Sequence, residues 1–239
     1  MPDEAPLQVG FLCYPRLTQL DMTGPYEVLV RMPNTKVHIL WKDAIPLSTE
    51  DGLQIFANCS LADSPKLDVI VVPGGLGQQD LMEDQQVLGF LRTQAKTARY
   101  VVSVCTGSLL LGAAGLLKGY RATCHWMFLD LLQLLGAIPT AERVVIDRNR
   151  ITGAGVSAGI DCGLQVASLL RGQEAAQSIQ LQIEYDPQPP FDCGSPRKAP
   201  DWLEKAGQGR PSVQECMIAL PVGKHVGGSA FTLFFGIQL

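Results

Sequence analysis

Short runs of apolar, largely β-branched residues alternate with helical runs from Leu7 to about Tyr185, and this alternation limits the fold more than any other feature. LQVGFLCY (7–14), KVHILWK (36–42), DVIVVPGG (68–75) and YVVSV (100–104) read as strands. The strands lack a period-two polar face, so they are expected in a mostly parallel sheet covered by helices on both sides. Helices are expected over 23–32, 80–98, 105–117, 125–136 and 157–185, with Pro25 near the start of the first and a break near Gly172 in the last. Residues 45–57 predict a small β excursion around the turn Asp51-Gly52, and VVID with RITGA a short pair of strands. YDPQPPFDCGSP (185–196) cannot form a regular helix and is expected to run as an extended surface belt. The expected organisation is one α/β domain over residues 1–205. A tail over 206–239 follows, rich in glycine and poor in charge.

A chain of 239 residues can bury a sizeable core without staples. Its formal net charge of −4 gives no electrostatic reason to expect nucleic acid or an anionic membrane as partner. No stretch reaches the ~18 apolar residues that a membrane-spanning helix requires. The acidic start MPDEAPLQVG does not read as a signal peptide. Seven scattered cysteines without CxxC spacing read as reduced thiols, which predicts a cytoplasmic protein without a bound metal.

Ligands of open parallel sheets collect beyond the carboxyl ends of the strands. Cys105 follows YVVSV directly and is itself followed by Thr106, Gly107, Ser108 and a helix of small and apolar residues. A side chain at such a corner stands on a sharp turn among the N–H groups of a helix start. Those donors favour a thiolate and can lower a cysteine pKa from about 8.5 to roughly 3.5–7.5. The plain alternative is a buried structural thiol, which is the reading given to the other six cysteines. Asp21, in QLDMTGP, is either a helix cap or, if its loop turns toward Cys105, a partner that shares a proton with the thiol. The glycine turn VVPGG offers the N–H groups of Gly74 and Gly75 to developing negative charge, or is simply a tight turn. Of three histidines, His38 reads as core and His225 lies in the tail. His125 reads as a cap or packing residue rather than a base. A histidine next to Cys105 is missing, which disfavours a peptidase.

Together these residues resemble the ThiJ/PfpI superfamily, and within it the branch that hydrates isonitriles. The likeness rests on QLDMTGPYEVL (19–29), VVPGGLG (71–77), SVCTGSLLLGAAGLLKGYRATCHW (103–126), TGAGVSAGID (152–161) and the belt up to Pro196. The resemblance implies a flavodoxin-like three-layer sandwich, a homodimer, no cofactor, and a small-molecule substrate converted to an N-substituted formamide. It places the nucleophile on Cys105, the general acid on Asp21 and the neighbouring threonine on Thr106. Much of the cysteine string is shared with domains of certain transcription regulators. The competing expectations are therefore a ligand-sensing domain and a protein whose Cys105 responds to oxidants. Few residues remain after the domain for a DNA-binding module, and they hold no basic helix pair.

Overall fold

The computed structural model describes residues 5–43 and 45–203. Strands β1 (Leu7–Leu12), β2 (Thr35–Trp41), β6 (Val69–Val72) and β7 (Tyr100–Val104) form where the apolar runs predict them. With β5 (Cys59–Ser60), β10 (Val144–Asp147) and β11 (Arg150–Gly153) they make a sheet of order β10-β11-β7-β6-β1-β2-β5. Every pair is parallel except β10 with β11. Every residue of β6 is buried, as a strand covered on both faces must be. The 45–57 excursion is an antiparallel pair, β3 (Pro46–Ser48) and β4 (Gln54–Phe56), turning at Gly52 with φ of +90°.

Helices cover the sheet in two groups. Helix α1 (Gln19–Leu29) packs on α6 (Ala158–Arg171), which packs on α7 (Gln173–Gln182). Helix α4 (Gly107–Ala113) packs against α2 (Gln78–Leu81), α3 (Gln85–Ala95) and α5 (Leu131–Leu134). The α1–α6 crossing is close because glycines face it. A Cβ on Gly163 would come within 2.9 Å of Val28 Cβ, and one on Gly159 within 2.8 Å of Pro25 Cδ. This contact fixes α1, which carries Asp21, against the sheet.

Four of the expected helices differ in extent, the 105–117 run being helical only over Gly107–Ala113. Helix α1 starts at Gln19 rather than Thr23, so Pro25 lies inside it and Asp21 in its first turn. The sequence alone puts Pro25 near the helix start, where its missing N–H costs little; packing of α1 against α6 instead carries the helix back through Gly24 and Pro25 to Gln19. The 80–98 helix is two, because Asp84 caps α3 by accepting from the N–H groups of Gln86 and Val87. The 125–136 helix is a 3₁₀ turn at Trp126–Phe128 followed by the single turn of α5, and a short parallel pair, β8 (Arg121–Ala122) with β9 (Ile138–Pro139), brackets it.

The belt after α7 holds no regular element up to Pro196 and is mostly exposed, as expected. Its first residue is anchored: the Tyr185 hydroxyl donates to Asp161 Oδ2 at 3.1 Å, and Arg143 pairs with the same carboxylate. One compact unit extends to Ala199, and a separate unit begins at Pro200. The expected tail, 206–239, lies outside the described residues.

Candidate active site

The carboxyl ends of β1, β6, β7 and β11 supply one cluster. Cys105 sits between β7 and α4 with φ of +58°, a left-handed conformation that a non-glycine residue adopts only when its surroundings enforce it. The enforcement is visible on both sides. Its N–H donates to Gly153 O at the end of β11, at 3.0 Å. The next turn is pressed onto β6, where a Cβ on Gly107 would lie 2.1 Å from Val72 O. Behind the corner, Ser103 and Ser108 hydroxyls share a 2.8 Å hydrogen bond, and Ser108 donates to Thr123 O at 2.7 Å. That network ties β7, α4 and the segment bearing Cys124 and His125 into one rigid wall.

Asp21 is buried and reaches the same corner from α1. It caps nothing: its Oδ2 accepts from Gly74 N–H at 2.9 Å, across to the turn after β6. Its Oδ1 is buried with no hydrogen bond of ordinary geometry, although thiol and carboxyl lie near enough to shift each other's titration. Burial pushes the Asp21 carboxyl up to about 7, against the lowering effects of Gly74 N–H and the Cys105 thiol. Its titration and that of the thiol therefore belong to the pair.

The expected depression of the Cys105 pKa is corrected. Burial and then the Asp21 charge push the thiol well above its ordinary value, outweighing the Thr106 N–H that favours the thiolate. A helix start supplies a few oriented donors, but desolvation of a sulfur only 6% exposed is the larger effect here. At rest Cys105 is a neutral thiol beside an acid titrating near neutrality.

Gly74 and Gly75 stand where expected, but not as free donors. Gly74 N–H is engaged by Asp21, and Gly75 N–H donates to Thr106 Oγ1 at 3.0 Å. The turn thus positions the carboxyl and the hydroxyl instead of meeting a ligand's developing charge. A Cβ on Gly74 would fall 2.6 Å from both Thr106 N and Oγ1 and 2.8 Å from Asp21 Oδ2, so only glycine permits this approach. Thr106 Oγ1, accepting from Gly75, keeps its own proton for another partner.

Three neighbours were not singled out from the sequence. Tyr14, fully buried after β1, donates its hydroxyl to Pro73 O at 2.8 Å and so holds the glycine turn. Cys124, also buried, lies close enough to raise the Cys105 thiol further. Glu50, at the β3–β4 turn, accepts from Thr18 Oγ1 at 2.7 Å. A strand-end position hints at Tyr14; nothing local marks the other two. His125 is half-buried and accepts from Met127 N–H through Nδ1, at 3.4 Å, with its ring beside Trp126 and Phe128. It is the cap and packing residue anticipated, and burial lowers its pKa. Among the described residues no group of three or more His, Cys, Asp or Glu is arranged to hold a metal ion. Nor is any helix there long and apolar enough to cross a membrane.

The chain that carries this arrangement has known relatives. The model of the DJ-1/PfpI family matches residues 8–169. The chain belongs to the DJ-1/PfpI family. It is 57% identical over 194 residues to isonitrile hydratase of Pseudomonas putida, covering 81% of this chain and 85% of that enzyme. It is 33% identical over 190 residues to the HTH-type transcriptional regulator GbdR of Pseudomonas aeruginosa, covering 76% of this chain but 51% of the regulator. A crystal structure of a ThiJ/PfpI family protein from Pseudomonas syringae superposes with a TM-score of 0.83 at 44% identity, covering 86% of each chain. The flavodoxin-like sandwich expected of the sequence is the fold observed.

Proposed function

We propose that this protein is an isonitrile hydratase, a hydro-lyase that adds water to isonitriles and releases N-substituted formamides without a cofactor. The observation that carries this reading is the buried Cys105–Asp21 pair, a thiol and an acid with a proton to exchange, in a chain 57% identical to a hydratase of the same name.

The chemistry suits the pair. An isonitrile carbon carries a lone pair and becomes electrophilic once it is protonated. Asp21 accepts the S–H proton and passes it to the isonitrile carbon, and the Cys105 sulfur bonds to that carbon as it becomes electrophilic. The net result is addition of S–H across the carbon to give a thioimidate. Water then adds to the thioimidate carbon, the nitrogen gains a proton, the C–S bond breaks, and the sulfur regains its proton as the formamide leaves. Isonitrile and water account for every atom of the product. The Thr106 O–H, with its oxygen already accepting from Gly75, orients the incoming water. Asp21 is suited to both proton transfers because its titration lies near working pH.

The oxidant-responsive alternative is the weaker reading, because oxidation follows thiolate character and exposure and this thiol has little of either. We assign the activity to residues 1–205 and, from the free thiols Cys13, Cys59, Cys105, Cys124, Cys162 and Cys193, a place in the cytoplasm. A homodimer fits the apolar side chains Leu53, just before β4, and Phe56 at its end, both more than half exposed. The test is turnover of cyclohexyl isocyanide in ¹⁸O-labelled water by the purified protein. N-Cyclohexylformamide bearing one labelled oxygen is the expected product; absence of formamide at any protein concentration overturns the assignment.

A further inference from the structure

The site holds one carboxylate that the reaction above does not use. Glu50 lies at the turn between β3 and β4, far in sequence from Asp21, yet it is fastened to the segment leading into α1. Its N–H donates to Leu17 O at 3.1 Å, and its Oε1 accepts from Thr18 Oγ1 at 2.7 Å. Just before it, Arg16 N–H donates to Ser48 O at 2.7 Å, so the end of β3 and the turn after it are tied to residues 16–18.

Thr18 is itself part of the site frame. Its N–H donates to Gly74 O at 3.0 Å, and its C=O accepts from Asp21 N–H at 3.1 Å. Gly74 in turn donates its N–H to Asp21 Oδ2. A Cβ on Gly75 would lie 2.3 Å from Thr18 N, so this seam is as tight as the elbow itself. Glu50 therefore hangs its charge on a residue that touches both the glycine turn and the backbone of Asp21.

We propose that Glu50 is a positioning residue for the proton transfer: held by Thr18 against the frame of the glycine turn and Asp21, its carboxylate adds to the hold of the buried Asp21 carboxyl on its proton. A negative charge fixed beside a poorly hydrated acid favours the protonated form of that acid. The other titratable groups facing Asp21 are Tyr14 at the end of β1, Cys105 at the elbow and Cys124 on the segment after it. All three are buried and held toward their neutral forms. The exposed Glu50 carboxylate, fastened to Thr18, acts on Asp21 in the direction that burial already favours.

The kinetic consequence rests on the hydratase reading. Asp21 must be a carboxylate to accept the thiol proton, so kcat/KM rises as pH increases through the Asp21 titration. Removing the Glu50 charge makes Asp21 a stronger acid and a weaker base. The rising limb then moves to lower pH, and the plateau falls because the thiol gives up its proton less readily.

The test follows the Asp21 carboxyl by ¹³C NMR in aspartate-labelled protein, with Asp21→Asn assigning the resonance. Glu50→Gln keeps an oxygen for Thr18 to donate to and removes only the charge. The expected result is a titration lowered by about half a pH unit, the effect of one partly screened charge at the edge of a low-dielectric site. Asp51→Asn, the same change of net charge one residue along, leaves the titration where it was. Added salt moves the wild type toward Glu50→Gln and leaves that variant in place. Identical titrations for wild type and Glu50→Gln overturn the proposal, as does an equal shift in Asp51→Asn. A protein that shows the Glu50→Gln shift but hydrates no isonitrile contradicts the hydratase assignment and still supports this role for Glu50.

Discussion

At the scale of single residues, the site is costly to the fold that carries it. A carboxyl with an ordinary value of 3.8 that titrates near 7 in the folded protein binds its proton more tightly there than in the unfolded chain. Below about pH 4 both states are protonated and no penalty exists. Between about 4 and 7 the unfolded chain gains by ionising while the folded one does not, so stability falls as pH rises through that window. The loss is on the order of 4 kcal/mol once pH exceeds the folded value. Asp21→Asn keeps an oxygen for Gly74 and removes the titration. It is expected to raise Tm markedly at about pH 8, by much less at about pH 4.5, and to abolish turnover at both. Thermal unfolding of the two proteins across pH checks this. The corner at Cys105 was legible from its place between YVVSV and a small-residue helix. The protonation state was not, because burial is a tertiary quantity and the local sequence displays only the helix start.

At the scale of elements, glycine decides how closely the strand ends and helix starts approach. The same substitution gives opposite results according to what a Cβ meets. Gly74→Ala drives a methyl into Thr106 and Asp21 and is expected to lower kcat/KM by on the order of 100-fold, since a shift of about 1 Å in a catalytic group is enough. Gly89, inside α3, has nothing within 4 Å of an added Cβ. Gly89→Ala is expected to stabilise the protein by about 0.5–1 kcal/mol with unchanged turnover. Steady-state kinetics and denaturant unfolding separate the two. The strands were readable because each is a buried β-branched run. The start of α1 was not, because Gly24 and Pro25 oppose a helix locally and the α6 face that supports it is far along the chain. The role of the glycine turn was half readable: PGG marks a tight approach, but only coordinates show its N–H groups already engaged by Asp21 and Thr106.

At the scale of the whole molecule, the sheet order gathers four strand ends at one edge, and the chain brings Asp21, Gly74, Cys105 and Gly153 together from positions far apart in sequence. That convergence was foreseeable in outline from strand–helix alternation. Glu50 was not, because a turn residue in a small β excursion carries no sign of where that excursion folds back. The proposed homodimer predicts a sedimentation mass twice that of the 25.8 kDa chain at micromolar concentration, and a monomeric mass contradicts it. On the proposed route the Cys105 sulfur forms and breaks a bond to the substrate carbon. The most direct test of that step is the initial rate of formamide formation from cyclohexyl isocyanide by Cys105→Ser, with the fold verified by circular dichroism. The predicted rate is lower than wild type by at least roughly 1,000-fold, the scale of losing a nucleophile; a rate within a few-fold of wild type would contradict the account.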